Sequence, residues 1–330
     1  MIERIKEEIF PILAAGLRKV LRQVNTEILN KTEEIRLRTN QPLILNLHQE
    51  EVIITRTGQI TKDFKCAYQT TKSDIKETMN LMTQHSLYAL EEELQQGYLT
   101  LAGGHRVGFV GEVVSNLDEI ELIKNFSGLN IRISQEIIGA ADGIIKEVIS
   151  NDSSQSIYNT LIISPPQCGK TTLLRDLIRQ LSTGLPEDNF SGLKVGVVDE
   201  RGELGGSYQG VAQNQLGIRT DLLANCPKSQ GMILLIRAMS PEVIVTDEIG
   251  SRQDVQAICE AVNAGVKVIT SVHGCNLEEI KQRPNLKKLL KRNFFKRFII
   301  LSRREGPGTI EKIIRIENNK KELTERRKIL

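Results

Sequence analysis

Apolar residues at Ile2, Ile5, Ile9, Leu13, Leu17 and Leu21 recur every three or four positions, the spacing that gathers side chains on one face of a helix. Pro11 falls inside that run and has no backbone N–H to give, so a kink or split is predicted there. Strand-like runs follow. Glu34-Ile35-Arg36-Leu37-Arg38 alternates apolar with charged positions, and Pro42 to Leu47 and Glu51 to Thr55 read as further strands. Residues 72–96 return to helical period. Tyr98 to Val114 reads as a hairpin, because two alternating runs flank Gly103-Gly104, which can take the positive φ of a tight turn. A helix over Ala140 to Ile149 then leads into the polar stretch 150–156, where a domain boundary is predicted.

Beyond Ile157 the pattern changes. Leu161 to Ser164, Val195 to Asp199, Val243 to Asp247 and Val266 to Val272 are short continuous apolar runs separated by helical ones. Strands apolar on both faces belong to a parallel sheet covered by helices on either side. The expected organisation is therefore a mixed α+β domain over 1–150, an α/β domain over 151–317 and a basic tail over 318–330.

Composition narrows the class. With 330 residues, 40% hydrophobic and 26% charged, the chain is long enough for two cores and has no disordered bias. A net charge of +3 is too small to imply a nucleic-acid partner by itself. The five cysteines are odd in number and scattered, which suits a reducing, cytoplasmic compartment. No apolar run approaches the ~18 residues that span a bilayer, so work at a membrane would mean peripheral docking.

Candidate chemistry is concentrated in the second half. Ser164-Pro165-Pro166-Gln167-Cys168-Gly169-Lys170-Thr171-Thr172 runs from a buried strand through a tight loop into a helix, the context a P-loop requires. Loop N–H groups would cradle the β-phosphate of ATP, Lys170 would reach the β/γ oxygens and Thr171 would ligate Mg²⁺. Ser164 stands where the pattern has its first glycine. Pro241 to Gly250 is an apolar strand ending in Asp247 and Glu248, the form of a Walker B motif, with Asp247 toward Mg²⁺ and Glu248 toward the attacking water. Val195 to Leu204 is another strand ending in charge. Asp199, Glu200 and Glu203 there could face the γ-phosphate, and Glu200 competes with Glu248 as general base. His273, just past a further strand, could sense the γ-phosphate.

These four motifs in this order resemble the secretion ATPase superfamily of type II and type IV machines. Gly103-Gly-His-Arg-Val-Gly108, Ser86 to Leu94, Val197 to Leu204 and Met239 to Gly250 are similar, more closely, to the stage III sporulation protein AA family. The resemblance implies a RecA-like P-loop ATPase domain behind a smaller N-terminal domain. It also implies a cytoplasmic homo-oligomer, expected to be a hexamer, powering a mother cell to forespore channel complex. Ring-forming relatives further imply an N-terminal arginine acting on the neighbouring subunit's ATP, for which Arg106 and Arg132 are the candidates. A competing expectation, a nucleic-acid-dependent ATPase, rests on Lys281 to Arg304, which holds ten Lys or Arg and no acid. Leu286, Leu289, Leu290, Phe294, Phe295 and Phe298 interleave that block at spacings suited to packing, which argues against nucleic acid.

Overall fold

The computed structural model describes residues 2–47, 50–84, 97–116, 119–150, 155–291, 293–317, 320–324 and 327–328. The Ser86 to Leu94 motif lies outside the described residues, as do 151–154 of the polar stretch. Of the helical period over 72–96, Lys72–Met82 forms a helix, and residues 85–96 are likewise outside the description. The chain divides into two compact units, Met1–Gln135 and Glu136–Leu330. The division falls before the expected boundary at 150 because Ala141, Ile144, Ile145 and Val148 are buried in the second unit's core. The backbone N–H of Ala141 also donates to the buried Asp176 carboxylate at 2.8 Å. Of the helix expected over 140–149, only Ile145–Val148 forms, following turns that begin at Ile138 and pass through Gly139, whose φ is 86°.

In the first unit the N-terminal apolar stripe is split as Pro11 requires. A helical turn Ile2–Arg4, a π-helical stretch Ile5–Ile9 and a 3₁₀ turn Phe10–Ile12 precede the α-helix Ala15–Leu21. Ile5, Ile9, Leu13, Leu17 and Leu21 nevertheless all reach the core. They pack on a sheet built from β1 (Thr32–Arg38), β3 (Ile44–Leu47), β4 (Glu51–Ile54), β5 (Ile60–Thr61), β7 (Tyr98–Thr100), β8 (Arg106–Asn116) and β9 (Glu119–Arg132). The strand order is β5-β4-β3-β1-β9-β8-β7 and every pairing is antiparallel. Two short strands, β2 (Gln41–Pro42) and β6 (Gln69–Thr70), pair apart from it.

Period-two alternation decides which residues this sheet buries. Ile35, Leu37, Leu45, Leu99, Val107, Phe109, Leu129 and Ile131 point into the core. Glu34, Arg36, Arg38, Arg106, Asn130 and Arg132 occupy the alternate positions, in register Glu34↔Arg132 and Arg106↔Arg132. A slip of one residue would exchange the two sets, and each large apolar side chain removed from the core costs about 1.5–3 kcal/mol. The hairpin turn lies at Gly103 and Gly104, with φ of 81° and 75°. His105 beside it is fully buried: its Nδ1 accepts from the Ser134 N–H at 3.0 Å, so Nε2–H donates to Glu8 at 2.5 Å. Arg4 in turn donates to the Gly103 carbonyl. The Gly-Gly-His-Arg motif thus ties the N-terminal helical segment to the hairpin.

The second unit carries β10 (Thr160–Ser164), β11 (Val195–Asp199), β12 (Thr220–Ala224), β13 (Val243–Glu248), β14 (Lys267–His273), β15 (Arg297–Ser302), β16 (Thr309–Glu317), β17 (Lys320–Thr324) and β18 (Arg327–Lys328). The order is β12-β11-β13-β14-β10-β15-β16-β17, with β18 also on β16. Pairings from β12 to β15 are parallel; those made by β16 are antiparallel. The expected basic tail is therefore in part sheet, because β17 and β18 both hydrogen-bond along β16.

Two apolar layers explain the continuous hydrophobic runs. Ile162, Val195, Val197, Val243 and Val245 meet Leu173, Leu174, Leu177 and Leu181 of the Lys170–Thr183 helix on one face. Leu161, Ile163, Val198, Ile244 and Val268 meet Met232, Leu235, Val255 and Ile258 on the other. The basic block divides similarly: Leu286, Leu289, Phe295 and Phe298 are buried, and Arg297 turns inward over the Tyr158 ring at 3.7 Å. Arg297 also pairs with Glu317 at 3.0 Å, so it belongs to the packing and not to a phosphate-tracking surface.

The Arg252–Asn263 helix on the second layer starts in a capping box, in which Ser251 accepts from the Asp254 N–H and Asp254 accepts from the Ser251 N–H. Ser251→Ala is expected to destabilise the second unit by about 1 kcal/mol, read as a lower denaturation midpoint. A midpoint unchanged within error would contradict that role.

Candidate functional site

Strands β11, β13, β14 and β10 are consecutive neighbours and all parallel, so their C-terminal ends lie along one edge of the sheet. Those ends carry Asp199, Asp247 with Glu248, His273 and Ser164. Sequence segments far apart thereby deliver their polar residues to one place, outside the carboxyl ends of parallel strands.

The 165–169 loop leaves β10 and enters the Lys170–Thr183 helix. Gln167 and Gly169 take left-handed φ of 57° and 84° around Cys168, a backbone alternation that turns successive N–H groups toward a concavity suited to an anion. Gly169 is the helix N-cap and supplies no side-chain hydrogen bond, so the first N–H groups of this helix are not met by a capping side chain. Arg303 donates to the Gln167 side chain at 3.2 Å, and the Gly308 N–H donates to the Cys168 carbonyl at 2.9 Å, anchoring the loop from the β15–β16 connection. Pro166 and Gln167 are exposed, and Pro165, Lys170, Thr171 and Thr172 are half-buried. Ser164 is fully buried and its hydroxyl donates to the Pro165 carbonyl at 2.8 Å, so its side chain serves the loop's geometry. Cys168 is likewise buried, its thiol 3.5 Å from the Pro166 carbonyl.

Lys170, His273 and Glu248 form a chain of contacts. Lys170 Nζ donates to His273 Nδ1 at 2.8 Å, which leaves Nε2–H to donate to Glu248 Oε2, also at 2.8 Å. Burial lowers the Lys170 pKa, opposed by the negative charge of Glu248, Glu203 and Asp247. Asp247 moves the other way: burial raises it to about 6, against the pull of Lys228, and Asp199 and Glu203 add repulsion.

The acidic box divides its work. Asp199 is fully buried and its two oxygens accept the Glu203 N–H at 2.8 Å and the Gly205 N–H at 2.7 Å. It therefore holds the 200–205 loop in shape and does not present its carboxylate outward, unlike the expectation from its place at a strand end. Glu200 pairs with Lys228, a residue that sequence reasoning missed. Burial opposes the charge on Lys228, yet the Glu200 hydrogen bond and the nearby Asp247 leave its pKa raised. Lys228 sits at the start of the Lys228–Ala238 helix behind Pro227, outside every recognised motif, and only the β12-β11-β13 order brings it to the site. No local sequence pattern carries that signal.

Arg106 and Arg132 are in the first unit, directly opposite one another on β8 and β9. Arg106 lies over the Tyr98 ring at 5.1 Å, and Arg132 lines a 530 Å³ cavity with Glu33, Glu34, Glu50 and Glu51.

The profile of the family described as sporulation stage III, protein AA matches residues 3–321. The chain belongs to the stage III sporulation protein AA family. It is 39% identical over 312 residues to stage III sporulation protein AA of Bacillus subtilis (strain 168), covering 94% of this chain and 96% of that one. More distant similarity, 29% over 181 residues, joins 53% of the chain to 25% of protein SEEDLING PLASTID DEVELOPMENT 1 of Arabidopsis thaliana. Among solved structures, the ATPase DotB of Legionella pneumophila superposes with a TM-score of 0.53 at 16% identity, over 81% of this chain and 71% of that one. The pilus retraction motor PilT with bound ADP gives 0.51 at 13%, over 83% and 75%. This member of the stage III sporulation protein AA family thus has the secretion ATPase fold that the motif order implied. Among its described residues, no helix is long and apolar enough to cross a membrane.

Proposed function

We propose that this protein is an ATP-hydrolysing motor whose second unit binds ATP at the 164–172 loop. The observation that carries the reading is the Lys170–His273–Glu248 chain, which joins the loop lysine to a strand-end carboxylate. Phosphate oxygens would take over Lys170 and the helix N–H groups, which releases His273 to follow the γ-phosphate. Glu248 is the better general base, since Glu200 is tied to the buried Lys228 ammonium, whereas Glu248 contacts the His273 ring, which nucleotide would release.

Mg²⁺ fits the residues present. Asp247 Oδ1 is buried with no hydrogen-bond partner among the described residues, an oxygen suited to a hard cation. Among the described residues, no group of three or more His, Cys, Asp or Glu side chains is arranged to hold a metal. Mg²⁺ at nucleotide sites is commonly held by one or two protein oxygens plus substrate phosphates. Thr171 and Asp247 would hold it, and the ion would neutralise charge across the β- and γ-phosphates.

The fold shared with DotB and PilT, and the family, support a homo-oligomer, a hexamer by resemblance, docked peripherally at a membrane on the mother cell side. There it would energise a channel complex into the forespore. Phosphate release by the purified protein tests the motor itself. Glu248→Gln keeps the shape and removes the base, so turnover is expected to fall by roughly 10²–10⁴ while ATP affinity changes little. Turnover that survives in Glu248→Gln and dies in Glu200→Gln would move the base to the acidic box.

A further inference from the structure

Lys228 is only 7% exposed, and a buried ammonium costs several kcal/mol unless its charge is met. It is met unequally. Nζ donates to Glu200 Oε2, at the residue following β11, and lies 3.3 Å from Asp247 Oδ1 on β13. That second oxygen is the buried one with no partner meeting hydrogen-bond geometry among the described residues, so Lys228 holds it as a longer-range ion pair. Lys228 thus hydrogen-bonds Glu200 and faces Asp247 as an ion pair. Asp199 and Glu203 bring further negative charge to bear on Asp247, which favours a cation at this point.

We infer that Lys228 is a positioning residue that supplies the positive charge facing Asp247 until a divalent cation loads, then gives up Asp247 while keeping Glu200. The inference rests on the ATPase reading of the same site, in which Asp247 faces the metal. An ammonium on a four-carbon stem can change partners by rotating about its own bonds, whereas the planar fork of an arginine could not follow as freely. Because Lys228 bridges β11 and β13, its release from Asp247 would be felt by Glu200, which gives the acidic box a means of registering that the metal has arrived.

The test is Mn²⁺ binding to the full chain without nucleotide, followed as the loss of free Mn²⁺ signal in electron paramagnetic resonance. Lys228→Met removes the competing charge and is expected to tighten Mn²⁺ binding by about tenfold or more, whereas Lys228→Arg, which keeps the charge but turns aside less freely, should bind Mn²⁺ no tighter than wild type. A folded Lys228→Met protein with unchanged or weaker Mn²⁺ binding overturns the inference, since a residue that only stabilises the fold would lower the denaturation midpoint and leave cation affinity alone. Should Lys228→Met not fold, wild-type protein gives the answer. Acylation of Lys228, read by peptide mass, should rise severalfold on adding Mn²⁺, and unaltered labelling overturns it equally. A fluorescent ATP analogue is titrated into the same samples. Failure of wild-type protein to bind it removes the ATPase reading and this inference together, whereas intact nucleotide binding with lysine-independent Mn²⁺ affinity removes only the inference.

Discussion

Lys170→Ala should weaken ATP binding by on the order of 100-fold or more while the protein remains folded. In the proposed site the lysine would compensate charge on the β- and γ-phosphates, and hydrogen bonds to charged groups are worth about 1.5–3 kcal/mol each. Two such bonds lost together correspond to at least two powers of ten. The fold should survive because Lys170 is half-buried at the mouth of the loop, and its partner is His273, not a core side chain. Loss of Lys170 also frees His273 from its ammonium neighbour, so the contact with Glu248 should persist or strengthen. Equilibrium binding of a fluorescent ATP analogue, with circular dichroism as the folding control, settles the matter. Undiminished affinity in a folded variant would end the P-loop assignment.

The second large effect concerns the first unit. If an arginine of one subunit completes the site of its neighbour, Arg106→Ala or Arg132→Ala should lower turnover by about 10³–10⁵, or roughly 4–7 kcal/mol. An arginine that merely pairs at the surface is worth about 0–1 kcal/mol, so the outcomes do not overlap. The register places both residues on rigid antiparallel strands, opposite one another, which is the placement a precise contact requires. Both also have local company: Tyr98 under Arg106, and four glutamates around the cavity that Arg132 lines. Mixing either arginine variant with Lys170→Ala subunits should restore part of the activity, because some interfaces would then combine an intact arginine with an intact loop. A loss below about threefold in both variants, or no rescue on mixing, would rule out a shared site.

Much of the fold, and the gathering of the candidate site's residues at one sheet edge, is legible in the amino-acid sequence, for identifiable reasons. Strands β10, β11, β13 and β14 announce themselves because burial on both faces forces continuous apolar runs, and their last residues are polar or charged because the sheet edge is where such groups can be met. The split of the N-terminal helical stripe follows from Pro11 alone. What is not legible depends on long-range pairing. Whether 140–149 belongs to the first or second unit is decided by which core Ile144 and Val148 enter, and both cores want the same residue types. Asp199 and Glu200 look equivalent along the chain. They part only because the N–H groups of Glu203 and Gly205 curl back onto one, and Lys228 reaches the other.

The position of β10 within its sheet bears on how the protein is made. The strand leading into the 164–172 loop pairs with β14 on one side and with β15 on the other, Thr160 facing Arg297. A ribosome adding ~5–20 residues per second leaves β10 without either neighbour for on the order of ten seconds after it emerges. During that interval Leu161, Ile162 and Ile163 have unpaired backbone on both edges, a segment attractive to chaperones and to other nascent chains. If the 164–172 loop binds ATP as proposed, that affinity should appear late, once Arg297–Ser302 docks, and ATP present during synthesis would favour the completed sheet over any partly folded one.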